Sequence, residues 1–415
     1  MKILHVIHSV DPRSGGPSNA IRQLVAAQAH AGHEIQLLAT DRQSAEPWES
    51  REVYRDRILR DPAFDGAQVR VMRAFGRRRP WRRYAFAPGC GRTLRQMIGQ
   101  GEVRPDVVHI HGAFSHVTSA AATAARDLGI PYVIRPAGCL DWACYASGHQ
   151  VLKRLFSRLV LFRDVRRAAC VQATTEAEAE EIRRWLPGTR VVVVPLGAAV
   201  PDRDDLVKAR GAFLSRSPQL RNRQIVLYMS RIAPKKRLDL LVEAVGLLRD
   251  DLPELMLVVA GQDSGHLSTV EESIRRTRLA ERVMFTGFLQ GELKHGALAA
   301  ASLFALPSID ENFGVAVVEA MAHGVPVIVT PGVGARVFVE ESGCGRTVDD
   351  NAAAIAAGIR QLLSEDRNDV GDRGRRYVAN YLSWNTVAKQ LDALYRDLCA
   401  KPHAGLSTPV VTVTE

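Results

Sequence analysis

Two glutamates, Glu311 and Glu319, stand eight positions apart in the run Glu311-Asn312-Phe313-Gly314-Val315-Ala316-Val317-Val318-Glu319. If both were helical they would fall near one face, because eight residues make a little over two turns. Gly314 predicts instead that a helix begins about there, leaving Glu311 on the loop before it and Glu319 inside it. Two carboxylates and the free N–H groups of a helix start then surround one place. Carboxylates accept hydrogen bonds from hydroxyls, while helix-start amides and the helix dipole hold phosphate. The pattern suits a ligand that carries both groups.

Cations for such a ligand occur in Ser230-Arg231-Ile232-Ala233-Pro234-Lys235-Lys236-Arg237, directly after an apolar strand pattern. Arg231 at a strand's carboxyl end and Lys236 near the next helix start would converge on a diphosphate, the arginine as a fork and the lysine as a point charge. Lys235 and Arg237 read as solvent-facing. A second phosphate-approach candidate is Gly15-Gly16-Pro17, a glycine pair with proline at the first helical position. A tight structural turn explains that pair equally well, and it lacks the GxGxxG spacing of a dinucleotide site or the lysine of a P-loop.

The run Val107-Val108-His109-Ile110-His111-Gly112 puts two histidines on one face of a strand end. No nearby Asp or Glu completes a metal-ligand set, so no metal is expected. His111, nearest the end, is the candidate for a substrate hydroxyl, whereas His109, His5, His8 and His33 read as structural. Arg135-Pro136-Ala137-Gly138-Cys139-Leu140-Asp141-Trp142 follows another strand and supplies Arg135, Gly138 and Asp141 as candidates for a second ligand, with helix capping as the plain alternative for Asp141. In Gly261-Gln262-Asp263, the aspartate reads as a turn closer.

These residues sit on an alternating pattern of strands and helices, the mark of βαβ units and parallel sheets covered on both faces. Expected strands in the first half are 2–8, 35–39, 107–110, 132–135, 169–173 and 191–194, with a capping box at Thr175-Glu176-Ala177-Glu178. The polar, turn-rich piece from Pro201 to Arg223 reads as the linker, and a second series follows at 225–229, 255–260, 283–286, 303–306 and 325–329. The pattern becomes all-helical from Ala352. The 415 residues thus divide into a first domain over 1–200, a second over 201–380, a crossover helix over 381–400 that returns to the first domain, and a disordered tail over 401–415. Ligands of open parallel sheets lie at the strands' carboxyl ends, so two such sheets facing each other would form an inter-domain cleft.

Composition narrows the class further. No apolar run is long enough to span a bilayer, and the start of the chain is too short and polar for a signal peptide, so a cytoplasmic location is expected. Six cysteines without a CxxC pair fit reduced thiols. The net charge of +10 is concentrated: from Asp65 to Glu102 no acidic residue intervenes among nine arginines, and aromatics are interleaved in Arg77-Arg78-Arg79-Pro80-Trp81-Arg82-Arg83-Tyr84. A second basic stretch, Lys153 to Arg163, alternates cationic and apolar positions at helical spacing. Together these point to an anionic membrane surface, at the inner face of the plasma membrane. They rank it above nucleic acid, for which no binding motif is present.

In order along the chain, Gly15-Gly16, His-x-His at His111, Arg231 with Lys236, Ala260-Gly261-Gln262-Asp263, Phe285-Thr286-Gly287-Phe288 and the Glu311/Glu319 pair resemble the retaining GT-B glycosyltransferases of family 4. The likeness spans nearly the whole chain. The loop from Arg135 to Trp142 is similar to that of bacterial members that build surface polysaccharides, although Ala137 stands where those often carry histidine. The resemblance implies two Rossmann-like domains and transfer of a hexose from a nucleotide-diphosphate sugar to a glycan or a polyprenyl-diphosphate-linked acceptor. By the same likeness Arg231 and Lys236 hold the diphosphate, Glu319 the ribose hydroxyls, and Glu311 with the backbone at Asn312, Phe313 and Gly314 the sugar. Gly15 and Gly16 let the donor phosphate approach, His111 meets the sugar near the reacting carbon, and neither a metal nor another cofactor is required. The competing classes are a nucleotide-sugar epimerase of the same fold and a non-catalytic basic binding protein.

Overall fold

The computed structural model describes residues 1–43, 49–75, 85–99, 104–138 and 160–400. Two compact units appear, one made of Met1–Pro195 together with the chain from Val387, the other of Leu196–Thr386. Asp141, the arginine-aromatic run over 77–84 and the tail from 401 lie outside the described residues. So does most of the basic stretch from Lys153.

In the first unit the strands are β1 (Lys2–Ile7), β2 (Glu34–Thr40), β3 (Ala67–Met72), β4 (Val107–His111), β5 (Tyr132–Arg135), β6 (Cys170–Ala173) and β7 (Val191–Val193). They form one parallel sheet in the order β3-β2-β1-β4-β5-β6-β7. Alternation divides its side chains between two layers. Leu4, Val6, Val108, Ile110, Tyr132 and Ile134 join one apolar core with Ala121, Ala125, Val165 and Ile182 from the covering helices. On the other face the register sets His5 beside His109 and His111 beside Arg135. That face is covered by α1 (Gly16–His30), whose Gln28 bonds His5, and by the helix from Trp384 to Ala400, whose Tyr395 bonds His109. The same helix reaches His33 through Asp392 and Arg190 through Asp397, so the last helix does return to the first sheet.

The second unit holds β8 (Gln224–Met229), β9 (Leu255–Ala260), β10 (Val283–Gly287), β11 (Leu303–Leu306), β12 (Val327–Val329) and β13 (Gly345–Thr347), parallel in the order β10-β9-β8-β11-β12-β13. This is a second doubly wound sheet, and the two together give the Rossmann-like pair of a GT-B chain. The residues expected to be a linker contain instead α2 (Arg203–Arg216). It packs on α3 (Gly291–Ala300) through its buried Ala209 and Phe213. The approach is so close that a Cβ at Gly296 would stand 2.2 Å from the Ala209 carbonyl oxygen. Only two core-facing residues in fourteen left little helical signal in the sequence.

The capping box is also corrected. Thr175 accepts from the Glu178 N–H at 3.2 Å, as a cap should. The Glu178 carboxylate does not reach back to Thr175; it takes the Thr174 N–H at 2.7 Å and the Gly138 N–H at 3.0 Å. It thereby ties the loop after β5 to the loop after β6.

Candidate active site

Three loops of the second unit meet at the carboxyl ends of β8, β11 and β12. The loop after β8 turns through a short 3-10 segment, Pro234–Lys236. The loop after β11 leads into α4 (Val315–Ala322), whose N-cap Gly314 takes φ 90°, a left-handed conformation that costs glycine little. Backbone bonds sew these loops together: Ile309 N–H to the Lys235 carbonyl at 2.9 Å, Glu311 N–H to Gly332 at 2.9 Å, and Gly334 N–H back to Glu311 at 2.8 Å. Thr330 Oγ1 donates to the Ser308 carbonyl at 2.8 Å. Glu311 thus sits on a fixed backbone in the loop, three residues before the N-cap Gly314, as expected from that glycine.

The side chains gathered there are charged. Lys236, with only 4% of its side chain exposed, forms an ion pair with Glu311 Oε2. Burial pulls the Lys236 ammonium below its ordinary value, and the Glu311 carboxylate opposes that shift. Lys235 faces outward and pairs with Asp310 at 3.0 Å. Arg231 is exposed and makes no ion pair among the described residues, leaving its fork available. Phe313 is buried against Phe338, so its side chain is a packing anchor while its carbonyl accepts from Ala335 N–H at 2.7 Å. Glu319 lies in α4 with its Oε1 2.6 Å from Lys294 Nζ of α3. Nothing in the sequence flagged Lys294, because the contact joins two helices across 25 residues.

Asp263 accepts from the N–H groups of Gly265, His266 and Leu267 at 2.9 to 3.1 Å. Those bonds hold its carboxyl below the usual carboxylate range. It closes a turn.

In the first unit, Gly15 (φ 99°) precedes α1, and a Cβ there would meet nothing within 4 Å. Pro17 stands in the first turn of α1. His111 is fully buried, and with His5 and His109 forms one cluster. His5 Nε2–H donates to Gln28 Oε1 at 2.7 Å, which leaves His5 Nδ1 to accept from His111 Nε2–H at 2.9 Å. His109 Nδ1 lies 2.6 Å from the Tyr395 hydroxyl. Burial lowers His5 to about 4 and holds His109 and His111 well below their ordinary value, with the Arg135 charge adding to the effect. Arg135 is itself 1% exposed, lowered to about 10 by burial, and its Nε and one Nη have no partner among the described residues. The ring nitrogens of the three histidines come within 4.8 Å of one another, near enough for a metal ion. A buried guanidinium on the same face disfavours a cation there; His5 and His111 bond each other and His109 bonds Tyr395, while His109 Nε2 and His111 Nδ1 have no partner among the described residues. Of the acceptor-loop candidates, Gly138 is placed, its N–H on Glu178.

A doubly wound parallel sheet in each unit is the architecture of a GT-B glycosyltransferase, and in the second unit Arg231, Lys236 and Glu311 lie on the loops after β8 and β11, with Glu319 on the helix that follows. Comparison with known proteins agrees: residues 15–197 match the glycosyl transferase 4-like domain and residues 213–377 the glycosyl transferases group 1 domain. A GDP-mannose-dependent alpha-mannosyltransferase of Mycolicibacterium smegmatis is 30% identical over 406 residues, 95% of this chain and 97% of that one. A GDP-mannose-dependent alpha-(1-6)-phosphatidylinositol dimannoside mannosyltransferase of Mycobacterium tuberculosis is 25% identical over 98% of each chain. Among solved structures, Anabaena Alr3699/HepE in complex with UDP and glucose superposes with a TM-score of 0.72 at 18% identity, over 96% of this chain and 100% of that one, a likeness of fold. The chain belongs to the glycosyltransferase family in which a 4-like domain precedes a group 1 domain. Among the described residues, no helix is long and apolar enough to cross a membrane.

Proposed function

We propose that this protein is a retaining, metal-independent family 4 hexosyltransferase that moves a sugar from a nucleotide-diphosphate sugar to a glycan or lipid-linked glycan in bacterial surface-polysaccharide synthesis. The observation that carries the reading is the joining of Lys236 to Glu311 beside the open Arg231 fork, with Glu319 on the following helix. Arg231 and Lys236 bind the donor diphosphate and stabilise its charge as the bond from the anomeric carbon to the phosphate oxygen breaks. Lys236 is held by Glu311 until the donor arrives, so the same lysine links the diphosphate to the carboxylate beside the sugar. Glu319 accepts from the ribose hydroxyls, and the backbone at Asn312, Phe313 and Gly314 presents the helix start to the sugar and phosphate. The acceptor hydroxyl attacks the face from which the diphosphate leaves and gives its proton to the departing phosphate oxygen. Two protein cations take the charge that a divalent ion would otherwise neutralise.

In the first unit, the family resemblance assigns Gly15 and Gly16 to the approach of the donor phosphate and His111 to the sugar; the buried His111 ring would have to give up its bond to His5 to take that part. Arg135, Gly138 and Asp141 belong to the acceptor side. Relatives that span the whole chain are named for GDP-mannose, which puts that donor first, and a phosphatidylinositol-based acceptor in one of them supports a lipid-linked acceptor here. Such an acceptor, a polyprenyl-diphosphate glycan among its forms, would be met at the cytoplasmic face of the membrane through the arginine-rich segment.

A thermal-shift screen against GDP-, UDP- and ADP-sugars in EDTA tests the proposal. A donor at a hundred times its Kd should add about 2.7 kcal/mol of apparent stability. If no sugar nucleotide shifts the wild type, or if Glu319→Ala shifts as far as wild type, the donor assignment falls.

A further inference from the structure

Helix α3 holds Glu319 directly through Lys294 and indirectly through a histidine pair. Lys294 Nζ stands 2.6 Å from its Oε1, with both side chains 21% exposed. One residue on, His295 Nδ1 lies 2.9 Å from His323 Nε2, and His323 Nδ1 lies 2.7 Å from the Glu319 carbonyl oxygen. A carbonyl only accepts, so His323 Nδ1 carries the proton and its Nε2 offers a lone pair to His295 Nδ1–H. The two rings stack with centroids 5.1 Å apart. Burial lowers His323 to about 3, so this neutral chain persists through the working pH range. The Glu319 side chain is therefore fastened to the neighbouring helix directly, and its carbonyl indirectly, through His323 at the end of its own helix.

A carboxylate has about four lone-pair sites. An ammonium on Oε1 leaves Oε2 and its share of Oε1 open, enough for the two donors of a vicinal diol. A free glutamate on a helix surface would instead spread over several rotamers and lose that freedom on binding. We propose that Lys294 is a positioning residue for the donor nucleotide, holding the Glu319 carboxylate in the one orientation that accepts both ribose hydroxyls, with the His295–His323 pair bracing the backbone of the same residue. The inference rests on the reading of Glu319 as the ribose ligand.

Calorimetric titration of the full chain tests it. UDP, GDP and ADP are screened for the one that binds, and that nucleotide is compared with its 2′,3′-dideoxy form. Wild type should prefer the ribonucleotide by at least ~10-fold, the value of a good charge-assisted contact. Lys294→Met should lose most of that preference by weakening the ribonucleotide alone, and Lys294→Arg should restore it. In turnover, Lys294→Met should raise donor KM while leaving kcat within about twofold, the signature of lost uniform binding. The inference is overturned if Lys294→Met keeps the full preference, weakens both nucleotides equally, or tightens binding as a released competitor would. Glu319→Gln, measured alongside, separates the two levels. A preference that survives Glu319→Gln sinks the ribose reading itself; one that Glu319→Gln abolishes and Lys294→Met does not sinks only the role of Lys294.

Discussion

Replacing Lys236 by methionine keeps most of the side chain's length and apolar stem and removes its charge. The wild-type ammonium is almost fully buried against a Glu311 carboxylate whose side chain is 25% exposed. The variant strands that carboxylate without its cation. Breaking a fully buried pair in this way costs about 3–5 kcal/mol, and an exposed one costs less than about 1 kcal/mol. A one-quarter exposed partner on a rigid loop lies between, so about 1–2 kcal/mol of stability should be lost. Activity should fall further, because the donor diphosphate loses a charge-assisted hydrogen bond of about 1.5–3 kcal/mol. That corresponds to about 10–150-fold in kcat/KM. Urea unfolding and initial rates with the donor found by thermal shift measure both. Adding Glu311→Gln should restore part of the stability, since the orphaned charge is gone, and none of the activity. A Lys236→Met enzyme within twofold of wild type would rule out a diphosphate contact for Lys236, and a double variant whose stability loss is the plain sum of the two single losses would rule out its coupling to Glu311.

Gly261→Ala would place a Cβ 1.9 Å from the Ser230 carbonyl oxygen, backbone against backbone, so a loss of about 3 kcal/mol in thermal unfolding and a displaced Arg231 with lowered kcat/KM are expected. Asp263→Ala removes the acceptor of three N–H groups at a helix start and should lower the melting temperature slightly with kcat/KM unchanged; a large loss of activity would give Asp263 a chemical role. His5 falls to about 4 and His323 to about 3 in the folded protein, against 6.5 when unfolded. The unfolded chain therefore takes up these protons first as the pH drops. Stability should be full above pH 6.5 and fall toward pH 4 by up to ~1.4 kcal/mol per unit for each histidine. Calorimetric melting that is flat between pH 7.5 and 5 would contradict that burial.

Strands flanked by helices on both faces wrote themselves into the sequence as continuous apolar runs, and β5, β9 and β11 occupy the residues expected of them. Two of the four outer strands did not. β3 (Ala67–Met72) presents Gln68 and Arg70 to solvent, and β13 is three residues containing glycine and arginine, so neither produces a run to recognise. In the candidate site, the loop position of Glu311 and the helical one of Glu319 were legible because Gly314 marks the boundary through its backbone conformation. The lysine partner of Glu319 and the His5–His111 bond were not legible. They join residues 25 and 106 positions apart, and only the packing of helices and the strand register bring them together. The histidine pair at the end of β4 read as a strand face with one member open to a ligand, whereas the structure buries both rings with His5.

The proposed function turns above all on where a donor nucleotide lies in the second unit. A crystal structure of the protein with the nucleoside diphosphate that stabilises it locates the ligand directly. Diphosphate oxygens about 2.7–3.2 Å from Arg231 and Lys236, with the ribose hydroxyls at that range from Glu319, are the predicted result. A diphosphate bound elsewhere, with Lys236 still paired only to Glu311 and Glu319 only to Lys294, would contradict it.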